Sequence, residues 1–192
     1  MYKILAIVGK AGSGKDTIMQ RVLAAAPGRF HEIISATTRP PREGEVDGKN
    51  YHFKQPSEFG HWVRNGYMLE YTQFNNWYYG TPIFSLVEDK VNIGVFNPAG
   101  VRALSRLPQV SLAIAYVYTD DKTRMMRQLC REEYPNVQEI VRRFQTDEED
   151  FEKFAQDFER DQVTLIENSG EIGLVRAVDT IMTMAEEMFG QM

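Results

Sequence analysis

A single cysteine, Cys130, stands in the whole chain, so no intrachain disulfide can form and a cytosolic compartment is the expectation. No apolar run approaches the ~20 residues that span a bilayer, and no charged n-region followed by an apolar h-region opens the chain. A soluble protein with no membrane partner is therefore expected. Basic charge is scarce as well: 22 Lys and Arg against 27 Asp and Glu leave a net charge of -5. That balance argues against a nucleic-acid partner, because counterion release needs a basic face. The three histidines, His31, His52 and His61, have neither metal-ligand spacing nor a visible nucleophile partner. Internal repeats and low-complexity segments are absent. What is plentiful is apolar side chain, 43% of 192 residues, enough to bury the core of one domain with small excursions.

The most informative stretch is Gly9-Lys10-Ala11-Gly12-Ser13-Gly14-Lys15-Asp16-Thr17, which follows the apolar run Ile4 to Val8. A buried strand thus delivers the chain into a glycine-rich phosphate loop. Its glycines let successive backbone N–H groups converge on an anion, and Lys15 adds a point charge toward the β and γ phosphates. Apolar Ile18, Met19, Val22 and Leu23 mark the following segment as a helix whose N-terminus faces those phosphates. Asp16 breaks the pattern, since a loop of this kind normally has Ser or Thr there as a magnesium ligand. The loop alone leaves kinase, GTPase, ATPase and transporter motor open.

Further along, Pro27-Gly28 ends the first helix, and Glu32 to Ser35 reads as a second strand. Residues 37 to 50 are dense in Pro, Gly and charge and form a loop. Between Tyr51 and Tyr79 the chain is aromatic and polar, with a short helix from Ser57 to Asn65 and strands near Tyr67 to Thr72 and Trp77 to Tyr79. Beyond Pro82, helices are predicted over Ile83 to Asp89 and Ala99 to Arg106, and strands over Asn92 to Phe96 and Ser111 to Tyr118. A charged helical segment from Lys122 to Arg160, broken at Tyr134-Pro135-Asn136, leads to a strand at Val163 to Ile166 and a last amphipathic helix. Alternation of strand and helix predicts an α/β fold, a central parallel sheet of about five strands with helices on both faces.

A second polar cluster narrows the function. Ser35 to Arg42, Glu43 to Tyr51, Gly66-Tyr67-Met68-Leu69-Glu70-Tyr71 and Tyr79-Gly80-Thr81-Pro82 follow the loop in order. At these residues the chain resembles guanylate kinases, the P-loop enzymes that phosphorylate GMP or dGMP from ATP. The chemistry of the side chains agrees. Arg39 and Arg42 can fork onto phosphate oxygens, and Tyr51 and Tyr79 can each donate a phenolic O–H. Glu70 can accept from guanine N1–H and the 2-amino group together, a donor pair that adenine lacks. Those five positions match the family's acceptor site, and Ser35 and Thr81 match its remaining base contacts.

The resemblance implies a P-loop NTPase three-layer fold: a core over residues 1–35, 82–121 and 159–192, a small α+β insert for the monophosphate over 36–81, and a helical lid over 122–158. It further implies ATP bound by Gly9, Ala11, Gly12, Ser13, Gly14, Lys15, Asp16, Thr17, Arg127 and Asn168, the last near the adenine. Lys15, Arg39, Arg131 and Arg142 would be catalytic, with Arg143 as the other candidate for the last place. Arg127 and Arg131, spaced i and i+4, would share a helix face; the competing reading of these arginines is surface pairing with Glu132, Glu133 and the run Asp147 to Asp150. In-line transfer needs no general base, since the acceptor phosphate is already an anion. Monomer and homodimer both remain open.

Two departures stand out. Where the family has Ser after the loop lysine, this chain has Asp16. Two acidic positions of the family fall on Val95 and Asn97. One expectation links them: a carboxylate lost at Val95 is supplied at Asp16, which holds Mg2+ directly or through water; the alternative is that Asp16 repels phosphate and leaves the site weak or dead. At Asn97 an amide replaces a carboxylate at a base contact, which would relax guanine selectivity. Rival readings are a kinase of broader deoxynucleotide specificity and a non-catalytic guanylate-kinase-like binding module.

Overall fold

The computed structural model describes residues 1–190 apart from 43, 75, 132 and 159–161, and the backbone alone at 155. The apolar run after Met1 forms β1 (Tyr2–Val8), and the glycine loop feeds α1 (Lys15–Ala25). Then follow β2 (Phe30–Glu32), β3 (Ala36–Thr37), β4 (His52–Phe53), α2 (Pro56–Arg64), β5 (Met68–Phe74) and β6 (Trp77–Pro82). The second half contains β7 (Val91–Val95), α3 (Pro98–Leu104), β8 (Val110–Tyr118), α4 (Asp121–Leu129), α5 (Val137–Asp157), β9 (Val163–Glu167) and α6 (Gly170–Phe189).

Among the described residues two sheets form. The larger is five-stranded, ordered β2-β7-β1-β8-β9, with every pairing parallel. β1 lies at its centre, so Ile4 to Val8 are fully buried, as continuous apolarity requires of a strand covered on both faces. On one face Ile18 and Val22 of α1 and Ala177, Ile181 and Ala185 of α6 pack against Leu5, Ile7 and Ile93. On the other, Val101 and Leu104 of α3 and Phe151 and Phe154 of α5 cover Ile4, Ala6 and Val8. The three-layer α/β expectation holds. The smaller sheet, β4-β3-β6-β5, mixes parallel and antiparallel pairs and carries α2, whose Pro at N1 and reciprocal Gln55–Glu58 capping box account for its sharp start. It is the α+β excursion expected from the aromatic, polar segment.

Four elements differ from the sequence expectation: the short strands β3 and β4 were not expected, and the second strand and one helix change. The second strand comes earlier, at Phe30–Glu32 instead of Glu32 to Ser35, because Phe30 is buried and pairs with Val91; one more ladder bond runs from Ile33 N–H to the Ile93 carbonyl. The helix expected over Ile83 to Asp89 reduces to a single 3-10 turn, Ile83–Ser85. The fully buried Asn92 explains why: its side chain accepts from Val87 N–H at 2.8 Å and donates to the Val87 carbonyl at 2.7 Å, taking the backbone groups that a helix would use. Arg160, the end assigned to the charged helical segment, and the beginning of the core segment at 159 lie outside the described residues.

Candidate active site

The site is built first by the loop between β1 and α1. Gly12 and Gly14 have φ of 81° and 92°, a region closed to most L side chains. Space closes it as well: a Cβ would sit 2.5 Å from the Arg124 carbonyl oxygen at Gly12 and 2.3 Å from Asn168 Nδ2 at Gly14. The loop's carbonyls are tied back by surrounding donors. Lys15 Nζ donates to the Lys10 carbonyl at 3.2 Å, and Arg124 Nε to that of Ala11 at 3.2 Å. Arg127 Nη1 reaches both Gly12 and Ser13 carbonyls at 3.2 Å, and Asn168 Nδ2 reaches Ser13 at 2.7 Å. A cavity of about 480 Å3 opens on this loop, lined in part by Gly12, Lys15, Asp16, Thr17, Arg127 and Arg131. Asn168 lines it too, and its buried Oδ1 has no hydrogen-bond partner among the described residues. Burial lowers the Lys15 ammonium pKa, against the opposing pull of the Asp16 and Asp147 carboxylates.

Arg131 joins Arg127 at the cavity, although not by the expected route. α4 ends at Leu129 with Cys130 as its C-cap, so the two arginines do not share a helix face. Their convergence comes from the turn after the helix.

The second part of the site comes from the smaller sheet and its loops. Arg39, 6% exposed, forks onto Glu45 with two bonds of 2.9 Å and lies over the rings of Tyr51 and Phe53. Glu45 also accepts from the backbone N–H of Arg42 at 2.7 Å, so one carboxylate fixes the Arg39 guanidinium and the chain at Arg42, and its own pKa is lowered in spite of burial, which pulls the other way. Burial lowers the Arg42 pKa, with the charges of Arg143, Arg39 and Arg131 adding to it. Tyr51 packs edge-on to Tyr79, and burial, with the nearby Asp16 charge, raises its pKa to about 12, so its O–H remains a donor. The Asp16 charge acts on both Lys15 and Tyr51, so the cluster lies within electrostatic reach of the loop.

Glu70 is the third part. It is buried, its Oε1 accepts from Thr81 Oγ1 at 2.8 Å, and its Oε2 has no partner among the described residues. Burial raises its pKa to about 7. A β-bulge between Met68 and Glu70 turns the side chain inward. Gly100 leaves space beside it: a Cβ there would lie 3.3 Å from Asn97 Oδ1 and 3.7 Å from Glu70 Oε2. Asn97 itself caps α3, its Oδ1 accepting from Gly100 N–H at 2.7 Å while Nδ2 donates to Thr72 Oγ1 at 3.3 Å. Its amide oxygen is therefore already engaged. Ser35 is half-buried on the segment leading into β3, its carbonyl accepting from His52 N–H.

Arg142 and Arg143 part company. Both donate to Glu139, but Arg142 is the more exposed, while the Arg143 charge is felt at Arg42. The pairing differs from the one expected with Asp147 to Asp150; Glu132 lies outside the described residues. Three residues escaped the sequence reading, Arg124, Glu45 and Asn92, and Asp147 was read only as a surface-pairing partner. Only Glu45 left a signal, an acid three residues after Arg42 in a turn-rich stretch. For the metal, the described residues contain no group of three or more His, Cys, Asp or Glu that could hold an ion. A magnesium bound largely by phosphates and water needs only one or two carboxylates, and Asp16 is exposed at the start of α1 with no hydrogen bond or ion pair among the described residues.

A parallel sheet whose central strand runs through a glycine loop into a helix, with a lysine at the loop's end, defines a P-loop nucleotide-binding protein. Within that class the guanylate kinase family model matches residues 1–171, and the chain belongs to that family. Guanylate kinases of Gloeobacter violaceus and Streptococcus thermophilus are 43% and 39% identical over 88 and 92 residues. These stretches cover 46% and 48% of this chain, and 42% and 44% of the relatives' lengths. The matched region thus spans less than half of either relative. The crystal structure of guanylate kinase from Anaplasma phagocytophilum superposes with a TM-score of 0.66 at 17% identity, covering 100% of this chain and 97% of that one, a likeness of fold.

Proposed function

We propose that the chain is an ATP-dependent nucleoside monophosphate kinase that transfers the γ-phosphoryl group to GMP or dGMP, giving ADP and the diphosphate. One observation carries the acceptor assignment: the Oε2 of buried Glu70, which has no hydrogen-bond partner among the described residues and is open to an N–H donor of a base. In this reading residues 36–81 hold the acceptor, 122–158 form a lid, and 1–35, 82–121 and 159–192 are the core.

Lys15 and the loop N–H groups bind the donor phosphates, while Arg127 and Asn168 keep the loop's carbonyls turned away from them. Arg39, Arg42, Tyr51 and Tyr79 bind the acceptor phosphate, with Glu45 as the brace that orders the Arg39 guanidinium and the chain at Arg42 before it binds. Glu70, Thr81 and Ser35 orient the base, and Asn97 stands beside it. Arg131 and Arg143, in place of Arg142, spread the charge of the transferring group, since phosphoryl transfer is mostly positioning and electrostatics. Mg2+, held by the phosphates and Asp16, would neutralise the donor's charge.

The test is a rate comparison with ATP across GMP, dGMP, AMP, CMP and dTMP. Guanine nucleotides should lead by orders of magnitude in kcat/KM. Equal rates across the bases would defeat the role given to Glu70, and no transfer to any of them would defeat the kinase reading.

A further inference from the structure

The peptide of Ala11, at the outer turn of the phosphate loop, is held from both sides. Its carbonyl accepts from Arg124, and its N–H donates to Asp147 Oδ2 at 2.5 Å, across 136 residues of chain. Asp147 comes from α5 and its side chain is 12% exposed. It is not a loose surface acid. Arg124, fully buried, sits 3.5 Å from its carboxylate, stacks on Phe144 at 4.4 Å, and bonds Asp121 and Glu148. Glu148 in turn pairs with Lys10. The Asp147 charge also acts directly on Lys15.

Loop N–H groups and the loop lysine are the places where phosphate oxygens bind, the lysine reaching the β and γ groups. A carboxylate bonded to one such N–H and close to that lysine stands in for a phosphate oxygen. It sits toward Ala11, away from the start of α1 where the inner phosphates lie. We propose that Asp147 determines donor specificity: it occupies the terminal-phosphate position of the loop, so a triphosphate must displace it and a diphosphate leaves it in place. The inference rests on the kinase reading above, in which the donor enters as triphosphate and leaves as diphosphate. Asp147 then favours the spent donor's form of the loop. Arg143 lies four residues earlier on α5, so displacement of Asp147 by a γ-phosphate moves the helix that carries a charge toward the transferring group.

Calorimetric titration of the full chain with ATP and with ADP, in magnesium, reads the ratio of the two affinities. Asp147→Asn keeps an oxygen for Ala11 N–H and removes the charge; Asp147→Ala removes both, and thermal melting reports whether each variant folds. The ATP:ADP affinity ratio should rise about tenfold in both variants, through ATP, as loss of a like charge near the terminal phosphate dictates. An unmoved ratio, or an equal weakening of both nucleotides, in a chain whose wild type binds both overturns this inference alone. Failure of the wild type to bind either nucleotide overturns the kinase reading as well.

Discussion

Glu70 combines, in a buried setting, a satisfied oxygen with one that has no partner among the described residues, and its titration links stability to recognition. Its folded pKa of about 7 lies above the ordinary 4.5, so the folded protein holds the proton more tightly than the unfolded chain does. Its contribution to the stability of the ligand-free fold therefore falls as pH rises between those values. In the proposed function guanine recognition runs the other way, because the ionised carboxylate is the better acceptor for N1–H. GMP affinity should strengthen from about pH 6 to about pH 8, and Glu70→Gln should flatten that profile and cost on the order of 100-fold in kcat/KM for GMP. A pH-independent wild-type affinity would contradict this role. At Asp16 the decisive measurement is ATP binding with and without magnesium: the enhancement by the ion should shrink in Asp16→Asn, and an undiminished enhancement removes Asp16 from the metal site.

At the level of elements, α3 shows how a residue picked out for recognition can also serve structure. A carboxylate of the family falls at Asn97, a proposed base contact, and its oxygen caps Gly100 N–H. Asn97→Ala should destabilise by about 1 kcal/mol, a Tm drop of about 3 °C, whereas Asn97→Asp keeps the cap and favours the helix N-terminus. Differential scanning calorimetry separates the two; equal melting of all three proteins would mean the cap contributes nothing. The predicted strands and most helices were legible because periodicity and turn residues are local. The helix expected after Pro82 was not, because the side chain that dismantles it, Asn92, belongs to β7.

On the scale of the molecule, the loop and the arginine-tyrosine cluster belong to different sheets, and the arginines that converge on the cleft come from distant segments. Arg42 feels Arg143, Arg39 and Arg131 together, a concentration of like charge that an anionic acceptor relieves. Arg143→Ala should therefore lower kcat by about 100-fold or more, and Arg142→Ala, whose side chain pairs outward with Glu139, by less than about threefold. Reversal of that order in a steady-state assay would return the lid role to Arg142.

From the sequence by itself came the strand-loop-helix at the amino end, the parallel α/β core, the acceptor-site side chains and the anomaly at Asp16. The loop and the core follow from local rules, glycine's access to positive φ and the periods of strand and helix, whereas the acceptor-site assignment came from the resemblance to guanylate kinases, with which the donors and acceptors of those side chains agree. Only the tertiary structure decided that Asn97 caps a helix, that the Arg143 charge reaches Arg42, and that Asp147 lies on the loop 136 residues away. Packing sets those distances, and among a dozen similar charges along two helices, spacing in the chain does not say which one is carried into the cleft.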